Sequence, residues 1–274
     1  MDTFKDRRIW ITGASSGIGE ALAVAFHDAG ARLILSARRE DELKRVQSRC
    51  GGEPGTRILP LDMTRGEGLP ERARTAIAVF LGIDLLVLNA GISQRALTRD
   101  TDDGVYRQLM EVNFFGPVAL TRAILPSMLE AKSGHLVVIS SIAGKFGVPL
   151  RSGYSASKFA LYGFYEALRA EEGRNGIRVT MVCPGFIRTG ISLSALKGDG
   201  SRHDKMDPEL AHGMPVEECA RQILKAVGRG KEDVCVGAAR EKGLVYLKRF
   251  CPGLLTKMIS RAGASQPRTN ADRK

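Results

Sequence analysis

The chain has 274 residues, of which 43% are hydrophobic and 26% charged. This composition is typical of globular proteins and excludes a largely disordered chain, a collagen-like repeat and a disulfide-rich scaffold. The net charge of +11 is concentrated at the C-terminus, where residues 240–274 hold nine Lys or Arg and only two Asp or Glu. Because a nucleic-acid-binding protein more often spreads basic residues over its main domain, we expect no nucleic-acid partner.

The cysteines and histidines show no pattern of a metal site. The five cysteines are scattered and lack Cys-x-x-Cys spacing, so we interpret them as reduced thiols of a cytoplasmic protein. The four histidines also lack metal-ligand spacing, and we predict no bound metal. No apolar run approaches the roughly 20 residues that span a membrane.

Seven short apolar runs alternate with longer segments of helical pattern. They are rich in Val, Ile and Leu with little polar alternation, which is typical of strands buried on both faces of a parallel sheet. The predicted strands are residues 8–12, 32–37, 57–61, 83–88, 135–140, 178–183 and 233–236. The alternation predicts an α/β fold: a Rossmann-type, doubly wound, about seven-stranded parallel sheet with helices on both faces, forming one catalytic domain over residues 1–239.

A glycine-rich turn, Thr12-Gly13-Ala14-Ser15-Ser16-Gly17-Ile18-Gly19, follows the first strand. Gly13 permits the sharp turn, and Gly17 and Gly19 remove side chains where the backbone approaches a phosphate or packs on the sheet. The N-terminus of the helix that follows offers free N–H donors to a pyrophosphate. The turn therefore predicts a dinucleotide site that includes Gly13, Ser15, Ser16, Gly17, Ile18 and Gly19.

The second predicted strand ends in Ala37, and Arg38 and Arg39 follow it. Sites that prefer NAD usually place an acid here to hold the ribose 2′-hydroxyl, whereas a guanidinium suits a 2′-phosphate. We therefore expect NADP(H) to be preferred over NAD(H), with Arg38 as the main discriminator and Arg39 as support. The alternative is that both arginines are merely solvated at a strand end.

Tyr154 and Lys158 are four residues apart, so on a helix their side chains share one face. A phenol near pKa 10 is a poor acid at neutral pH, and a neighbouring ammonium favours the phenolate and lowers that pKa. Ser141 and the segment Asn89-Ala90-Gly91 each follow a predicted strand. Because ligands of open α/β sheets bind at that edge, these residues outline an acid–base site.

The connection after the sixth strand, residues 185–214, is unusually long. Most connections in compact domains have roughly 2–8 residues, and much longer ones are often lids or binding loops. We predict a substrate lid over residues 188–214, and the alternative is a flexible insertion without a binding role. Its apolar residues favour an apolar or lipid-like substrate.

Together these motifs resemble the short-chain dehydrogenase/reductase family, in its compact single-domain branch. Further matching motifs are Leu61-Asp62, Glu111-Val112-Asn113 and Pro184-Gly185. A closer similarity, to the subgroup of dehydrogenase/reductase members 7 and 7B, rests on residues 114–120, 149–154 and 192–207.

The resemblance implies an enzyme that transfers a hydride between a nicotinamide and a carbonyl or secondary alcohol. Tyr154 would be the general acid and base, Lys158 would lower its pKa and bind the nicotinamide ribose, and Ser141 would hold the substrate oxygen. Asn113 would support a proton relay to Lys158. The implied cofactor contacts are Asp62 to the adenine, Asn89, Ala90 and Gly91 to the adenosine ribose, and Pro184, Gly185, Ile187 and Thr189 to the nicotinamide side.

The resemblance also implies a homodimer or homotetramer built on the helical segments 102–131 and 155–173. Two alternatives to a general carbonyl reductase stay open. One is a β-ketoacyl–carrier-protein reductase, which shares these motifs. The other is a non-catalytic NADP-sensing protein on the same fold.

Residues 240–264 predict two short amphipathic helices separated at Pro252-Gly253. One interpretation is that they cover the substrate side with a basic face in water. The other is a peripheral membrane contact, because basic amphipathic helices favour anionic surfaces. Residues 265–274 are expected to be disordered. The apolar positions at helical spacing are Leu244, Leu247, Cys251, Leu254, Leu255 and Met258.

Overall fold

Seven parallel strands form one sheet in the computed structural model, which describes residues 2–264. They are β1 (Arg8–Thr12), β2 (Arg32–Ser36), β3 (Thr56–Ile58), β4 (Leu85–Leu88), β5 (Gly134–Ile139), β6 (Ile177–Pro184) and β7 (Asp233–Val236). Their order across the sheet is β3-β2-β1-β4-β5-β6-β7. The predicted doubly wound parallel sheet is confirmed. The tail expected to be disordered, residues 265–274, lies outside the described residues.

The strand β3 is shorter than predicted and ends at Ile58 instead of Leu61. Pro60 has no N–H to donate to the neighbouring strand, so the regular ladder stops before it. The flanking residues still pair with the β2 side: Leu59 N donates to Leu35 O at 2.9 Å and Leu61 N to Ala37 O at 3.0 Å.

Helices cover both faces of the sheet. They are α1 (Gly17–Asp28), α2 (Glu40–Arg49), α3 (Leu69–Phe80), α4 (Asp103–Met110), α5 (Gly116–Glu130), α6 (Ser152–Glu172), α7 (Pro208–Ala211), α8 (Val216–Gly228), α9 (Ala239–Phe250) and α10 (Pro252–Ala264). The helices α3, α5 and α6 share one core cluster with the sheet, and α1, α2 and α8 share another. Each layer buries its apolar stripe against Val, Ile and Leu of the strands, which is the main driving force for this architecture.

The strand order reverses between β1 and β4, which lie side by side. In doubly wound sheets this reversal opens a crevice at the carboxyl ends of the strands, where ligands bind. Gly13 follows β1 and Asn89 follows β4, so the predicted motifs meet at this crevice.

One helical stretch among the described residues, Asp103–Glu130, is long and apolar enough to cross a membrane by length and composition alone. It comprises α4, a π-helical turn at Glu111–Phe115 and α5. Leu120, Ile124 and Met128 of α5 are fully buried in the core. We therefore assign this stretch to the folded domain.

Candidate active site

The glycine-rich turn has the geometry of a phosphate cradle. Gly13 and Gly17 adopt positive φ angles of 65° and 59°, which L side chains rarely adopt. A Cβ at Gly13 would lie 2.8 Å from the Ala90 Cα, and one at Gly19 would lie 2.2 Å from the Gly13 carbonyl oxygen. The N-cap residue of α1, Ser16, makes no side-chain cap hydrogen bond within the described part of the chain. The first-turn N–H groups of α1 are therefore available to an anion.

Asn89 braces this turn from β4. Its Nδ2 donates to the carbonyl oxygens of Thr12 and Gly13, both at 3.1 Å. In return, the Thr12 hydroxyl accepts hydrogen bonds from Asn89 N at 3.0 Å and Ala90 N at 3.2 Å. The bracing role of Asn89 was missed in the sequence, because it depends on two strands that are 77 residues apart. Its contact with the adenosine ribose stays a prediction.

A cleft of about 550 Å³ runs along the carboxyl ends of β1, β2 and β4. Twelve predicted cofactor residues line it: Gly13, Ser15, Ser16, Gly17, Ile18, Arg38, Arg39, Asp62, Asn89, Ala90, Gly91 and Thr189. Several further residues line the cleft that were not predicted as cofactor contacts, namely Gln108, Val112, Ile191, Leu193, Ser194, Arg202 and Asp204. Most of these belong to the predicted lid, whose contact with the cleft depends on how the loop folds back.

The remaining predicted cofactor residues lie behind the wall of the cleft. Gly19 packs under Gly13, as described above. Gly185 lies against the buried Glu241, whose Cγ would be 2.8 Å from a Cβ at that glycine. Ile187 is buried and pairs with Met214 in an isolated parallel bridge. Pro184 is the last residue of β6, in register with Val236. These residues shape the loop that leads to Thr189, which lies next to Gly17.

Positive charge gathers at the far end of the cleft. Arg38 and Arg39 are exposed, and Arg39 Nη2 lies 3.3 Å from the Ser15 hydroxyl. Burial opposes ionisation of Asp62, but hydrogen bonds from Thr64 and the charges of Arg38 and Arg65 outweigh it and lower the pKa of that carboxyl. Asp62 therefore stays ionised beside the arginines, and this end of the cleft combines two guanidinium groups with one carboxylate.

Tyr154 and Lys158 are buried between β5 and α6, and Ser141, which is half-buried, completes the cluster. Tyr154 and Lys158 are 7% and 4% exposed. Lys158 Nζ donates to the Ile139 carbonyl oxygen at 2.9 Å and lies 5.8 Å from the centroid of the Tyr154 ring. Ser141 is the N-cap of a short turn and accepts a hydrogen bond from Ala143 N at 3.1 Å. The neighbouring Ser140 is structural, since its hydroxyl donates to the Lys158 carbonyl oxygen at 3.1 Å.

The protonation energetics of this cluster differ from the expectation that Lys158 lowers the pKa of Tyr154. Burial raises the pKa of Tyr154, and a hydrogen bond with Ser141 and the charge of Arg151 oppose that rise. Burial also lowers the pKa of Lys158 to about 8. The reason is that both groups are buried in surroundings of low dielectric, which disfavour the charged phenolate and the charged ammonium alike. Ser141 and Arg151 therefore help to hold down the pKa of the phenol.

Asn113 lies in the π-helical turn, a feature that often marks functional sites. It is fully buried, its Oδ1 accepts from Ile92 N at 2.9 Å, and its Nδ2 donates to Ile92 O and the Ser157 hydroxyl, both at 2.9 Å. A Cβ at Gly91 would lie 3.2 Å from Asn113 Oδ1 and 3.4 Å from Lys158 Nζ. The two polar groups therefore converge on Gly91, in the wall of the cleft.

The predicted lid is folded and docked. Leu196 pairs with Gln94 and Arg202 through bridges, and its side chain packs in one cluster with Tyr154. Asp207, only 3% exposed, binds two arginines: its Oδ1 lies 2.7 Å from Arg95 Nη2, and its Oδ2 accepts from Arg151 Nη2. This arrangement contradicts the flexible-insertion alternative, because a buried ion cluster and backbone pairing fix the loop over the tyrosine.

The two C-terminal helices cover the opposite side of the site. Leu255 is fully buried with Ile142, Phe146 and Cys183, and Leu244 and Leu247 pack against the same cluster. The helices therefore adjoin the turn after Ser141, as one of the two interpretations expected. Beside the basic residues expected in water, the outer face also carries apolar side chains. Tyr246, Phe250, Leu254 and Met258 are 68%, 76%, 53% and 46% exposed.

A family model described as short chain dehydrogenase matches residues 7–199, which is most of the chain. The chain belongs to the short-chain dehydrogenase/reductase family. A Drosophila melanogaster relative, dehydrogenase/reductase SDR family protein 7-like, is 44% identical over 252 residues, covering 90% of this chain and 77% of the relative. The mouse dehydrogenase/reductase SDR family member 7B is 41% identical over 258 residues, covering 92% and 80%. The resemblance seen in the sequence is confirmed, and the protein is an oxidoreductase of this family.

Solved structures show the same fold. A short-chain dehydrogenase/reductase from Burkholderia phymatum in complex with NAD has a TM-score of 0.81 at 22% identity, covering 93% of this chain and 96% of its own. A short chain dehydrogenase from Burkholderia cenocepacia in complex with NADP has a TM-score of 0.78 at 26% identity, covering 96% and 99%. The family thus places NAD or NADP on this architecture.

Proposed function

We propose that this protein is an NADP(H)-dependent reductase that interconverts an apolar carbonyl compound and its secondary alcohol. The observation that carries the proposal is the cluster of Ser141, Tyr154 and Lys158 behind a cleft whose other end is a phosphate cradle. A non-catalytic sensor would not need a buried phenol beside a serine hydroxyl, with a buried amine 5.8 Å from the centroid of its ring. The 26%-identical relative in complex with NADP supports the choice of cofactor class.

The residues of the cleft fit a phosphorylated dinucleotide. The glycines at positions 13 and 19 leave no room for a Cβ, and the N-terminus of α1 is uncapped among the described residues, so the backbone itself would hold the pyrophosphate. Arg38, supported by Arg39, would hold the 2′-phosphate through charge-assisted hydrogen bonds. Lys158 would hold the nicotinamide ribose.

Catalysis rests on proton transfer from the tyrosine. The bound nicotinamide supplies a hydride to the carbonyl carbon, or accepts one in the reverse direction. During reduction the Tyr154 Oη–H bond breaks, its proton goes to the substrate oxygen, and the product is the alcohol. Ser141 shares the substrate oxygen and stabilises the phenolate that remains. Lys158 and Asn113 would return a proton to Tyr154, and their convergence on Gly91 supports this role.

The environment of Tyr154 favours an apolar substrate. Leu196, Val148 and Ala143 pack in its cluster, and the neighbouring cluster of Phe146 and Phe186 extends to the C-terminal helices. A polar substrate would have to lose water against these walls without compensating hydrogen bonds.

A screen of NADPH consumption tests the proposed function. The panel comprises steroid ketones, retinaldehydes, long-chain acyl ketones, small aldehydes and a β-ketoacyl thioester of carrier protein. We expect turnover with the apolar ketones and a higher kcat/KM with NADPH than with NADH. Tight NADPH binding without turnover on any carbonyl would contradict the proposal in favour of a sensor. Selective turnover of the carrier-protein thioester would favour the alternative reductase.

We also propose that helices α9 and α10 contact a membrane surface from the cytoplasmic side. The exposed residues Tyr246, Phe250, Leu254 and Met258 accompany Lys248, Arg249 and Lys257 on these helices. Apolar insertion combined with attraction to anionic lipid is the usual basis of such contacts. Cytoplasmic residence fits the free state of all five cysteines.

Co-sedimentation with phosphatidylserine vesicles tests the membrane contact. The wild type should co-sediment, and the double variant Phe250→Ser/Leu254→Ser should not. Equal binding of the wild type and the variant would refute the contact.

A homodimer or homotetramer is a third proposal. Phe115 at the start of α5 and Phe159 on α6 are 49% and 43% exposed, which is unusual for large aromatic side chains. Sedimentation velocity should show at least a dimer that Phe115→Asp/Phe159→Asp converts to monomer. A monomeric wild-type protein would refute this.

A further inference from the structure

The helix that carries Tyr154 begins without a cap of its own. α6 starts at Ser152, and its N-cap residue Arg151, at φ −135° and ψ 34°, makes no side-chain cap hydrogen bond within residues 2–264. The first N–H groups of a helix have no acceptor inside the helix. Gly153 and Tyr154, the second and third residues of α6, therefore need an acceptor from elsewhere.

Gln94, which is fully buried, supplies that acceptor from the loop after β4. Its Oε1 accepts from Gly153 N at 2.7 Å and lies 3.4 Å from Tyr154 N. The start of α6 is also tightly packed, since a Cβ at Gly153 would lie 2.7 Å from Tyr106 Cδ1. A side chain 59 residues away in sequence thus does what an N-cap residue normally does.

The amide of Gln94 is itself held in one orientation. Its Nε2 donates to the Thr101 hydroxyl at 3.0 Å, and that hydroxyl donates to the Leu97 carbonyl oxygen at 2.7 Å. Because Nε2 of Gln94 donates to Thr101, Oε1 of Gln94 faces α6. The arrangement requires a group with both a donor and an acceptor, which an amide provides.

The backbone around Gln94 also pairs with the lid. Leu196 N donates to Ser93 O at 2.9 Å, and Arg95 N donates to Leu196 O at 2.8 Å. The Leu196 side chain packs beside Tyr154. Arg95, the residue after Gln94, binds Asp207 of the lid. One short segment therefore contacts both the catalytic helix and the lid.

We propose that Gln94 is a positioning residue that fixes the Tyr154 phenol relative to Ser141 and couples its placement to the docked lid. The proposal rests on the proposed function, since the placement of Tyr154 matters for catalysis only if Tyr154 transfers the proton. Gln94 does not line the cleft and touches neither substrate nor cofactor in this assignment.

The test compares Gln94→Met with Gln94→Glu, using 9,10-phenanthrenequinone as the carbonyl probe and NADPH as reductant. Methionine has a similar volume but neither an acceptor for the two N–H groups nor a donor for Thr101. Glutamate in its protonated form, which burial at this position favours, keeps both an acceptor oxygen and an O–H donor. We expect Gln94→Met to lower kcat by roughly 10- to 100-fold, because small misplacements of reacting groups cost that much. The Kd for NADPH should be little changed, and Gln94→Glu should recover most of the rate.

The pH profile separates positioning from simple stability. The hydrogen bond with Ser141 opposes the raised pKa of Tyr154, so a displaced phenol should have a still higher pKa. Lys158 sets a first descending limb of kcat for reduction near pH 8, and the phenol sets a second one at higher pH. This second limb should therefore move to still higher pH in Gln94→Met. An unchanged kcat and profile in Gln94→Met, or equal losses in both variants, would overturn the proposal.

Two further variants keep the outcome decisive. If Gln94→Met does not fold, Thr101→Val releases the amide of Gln94 while keeping the side-chain volume, and an unchanged kcat in that variant would overturn the proposal. Tyr154→Phe serves as the reference. If it is inactive while Gln94→Met is fully active, only the positioning role is rejected. If Tyr154→Phe is active, the proposed function itself is rejected.

Discussion

The cofactor cleft and the tyrosine cluster lie side by side at the same edge of the sheet, yet they are built differently. The cleft is made by strand ends and the glycine-rich turn, and its charged groups, such as Arg38, are exposed. The tyrosine of the other region is buried, and its cluster packs against the lid and the C-terminal helices. Binding and proton transfer thus have different environments: one must admit a large polar ligand, and the other must keep water away from a reacting phenol.

Charged groups behave differently in the two regions. In the cleft, ionised groups face solvent and can bind a charged ligand without a large desolvation cost. In the tyrosine cluster, burial changes the pKa of Tyr154 and Lys158 in opposite directions, both against the charged form. Variants of the cleft should therefore change affinity for the cofactor, and variants around the tyrosine should change rate or lid stability.

The largest effect on cofactor binding is expected at the turn of the cleft. Gly13→Val introduces a Cβ 2.8 Å from the Ala90 Cα at a φ of 65°, so the turn cannot keep its shape. We predict that the Kd for NADPH rises by at least about 100-fold, which corresponds to roughly 2.7 kcal/mol. Fluorescence titration of NADPH measures it. Gly52→Ala is the matched control, with a φ of 68° and no described atom within 4 Å of its Cβ, and it should bind NADPH normally.

The next effect is expected on the lid. Asp207→Asn leaves Arg95 and Arg151 without their carboxylate, and removing one partner of a buried ion pair costs about 3–5 kcal/mol. We predict faster proteolysis within residues 188–214 and a lower Tm, with little change in NADPH affinity. Asp199→Asn is the control, because Asp199 is an exposed lid residue that bonds only to Ser201 among the described residues. Equal proteolysis of both variants would contradict the ion cluster as the anchor of the lid.

A smaller effect is expected on cofactor choice. Arg38→Ala should lower kcat/KM for NADPH by roughly tenfold or more and leave that for NADH unchanged, since a hydrogen bond to a charged group contributes about 1.5–3 kcal/mol. Arg65→Ala is the control: Arg65 also lowers the pKa of Asp62 but lies outside the cleft. A similar loss with both cofactors would show that Arg38 does not read the 2′-phosphate.

The smallest effect is a pH dependence from the tyrosine cluster. Because burial lowers the pKa of Lys158 to about 8, the ammonium loses its proton as pH rises through that value. We predict that kcat for reduction falls about twofold between pH 7 and pH 8, where half of the lysine is neutral. In Lys158→Arg, which stays charged, any residual activity should show no such limb near pH 8.

Much of the fold could be predicted from the sequence, because each buried strand is a local apolar run and the turn after β1 carries its own glycines. The location of the cleft could be predicted for the same reason, since Gly13, Arg38 and Asn89 each follow a strand. In the tyrosine cluster, the sequence predicted only Tyr154, Lys158 and Ser141. The roles of Gln94, Arg151 and Asp207 depend on contacts across 56 to 60 residues of sequence, which no local pattern records. The raised pKa of Tyr154 was also missed, because burial is a property of the assembled site.

In the proposed mechanism Tyr154 transfers the proton while the cleft binds NADP(H) independently. Stopped-flow single-turnover reduction of 9,10-phenanthrenequinone by enzyme-bound NADPH, with wild type and Tyr154→Phe, tests both parts. We predict a rate lower by about 10²- to 10⁴-fold in the variant, with the NADPH Kd little changed. A Tyr154→Phe enzyme that reduces the quinone at the wild-type rate would contradict the assignment of Tyr154 as the proton donor.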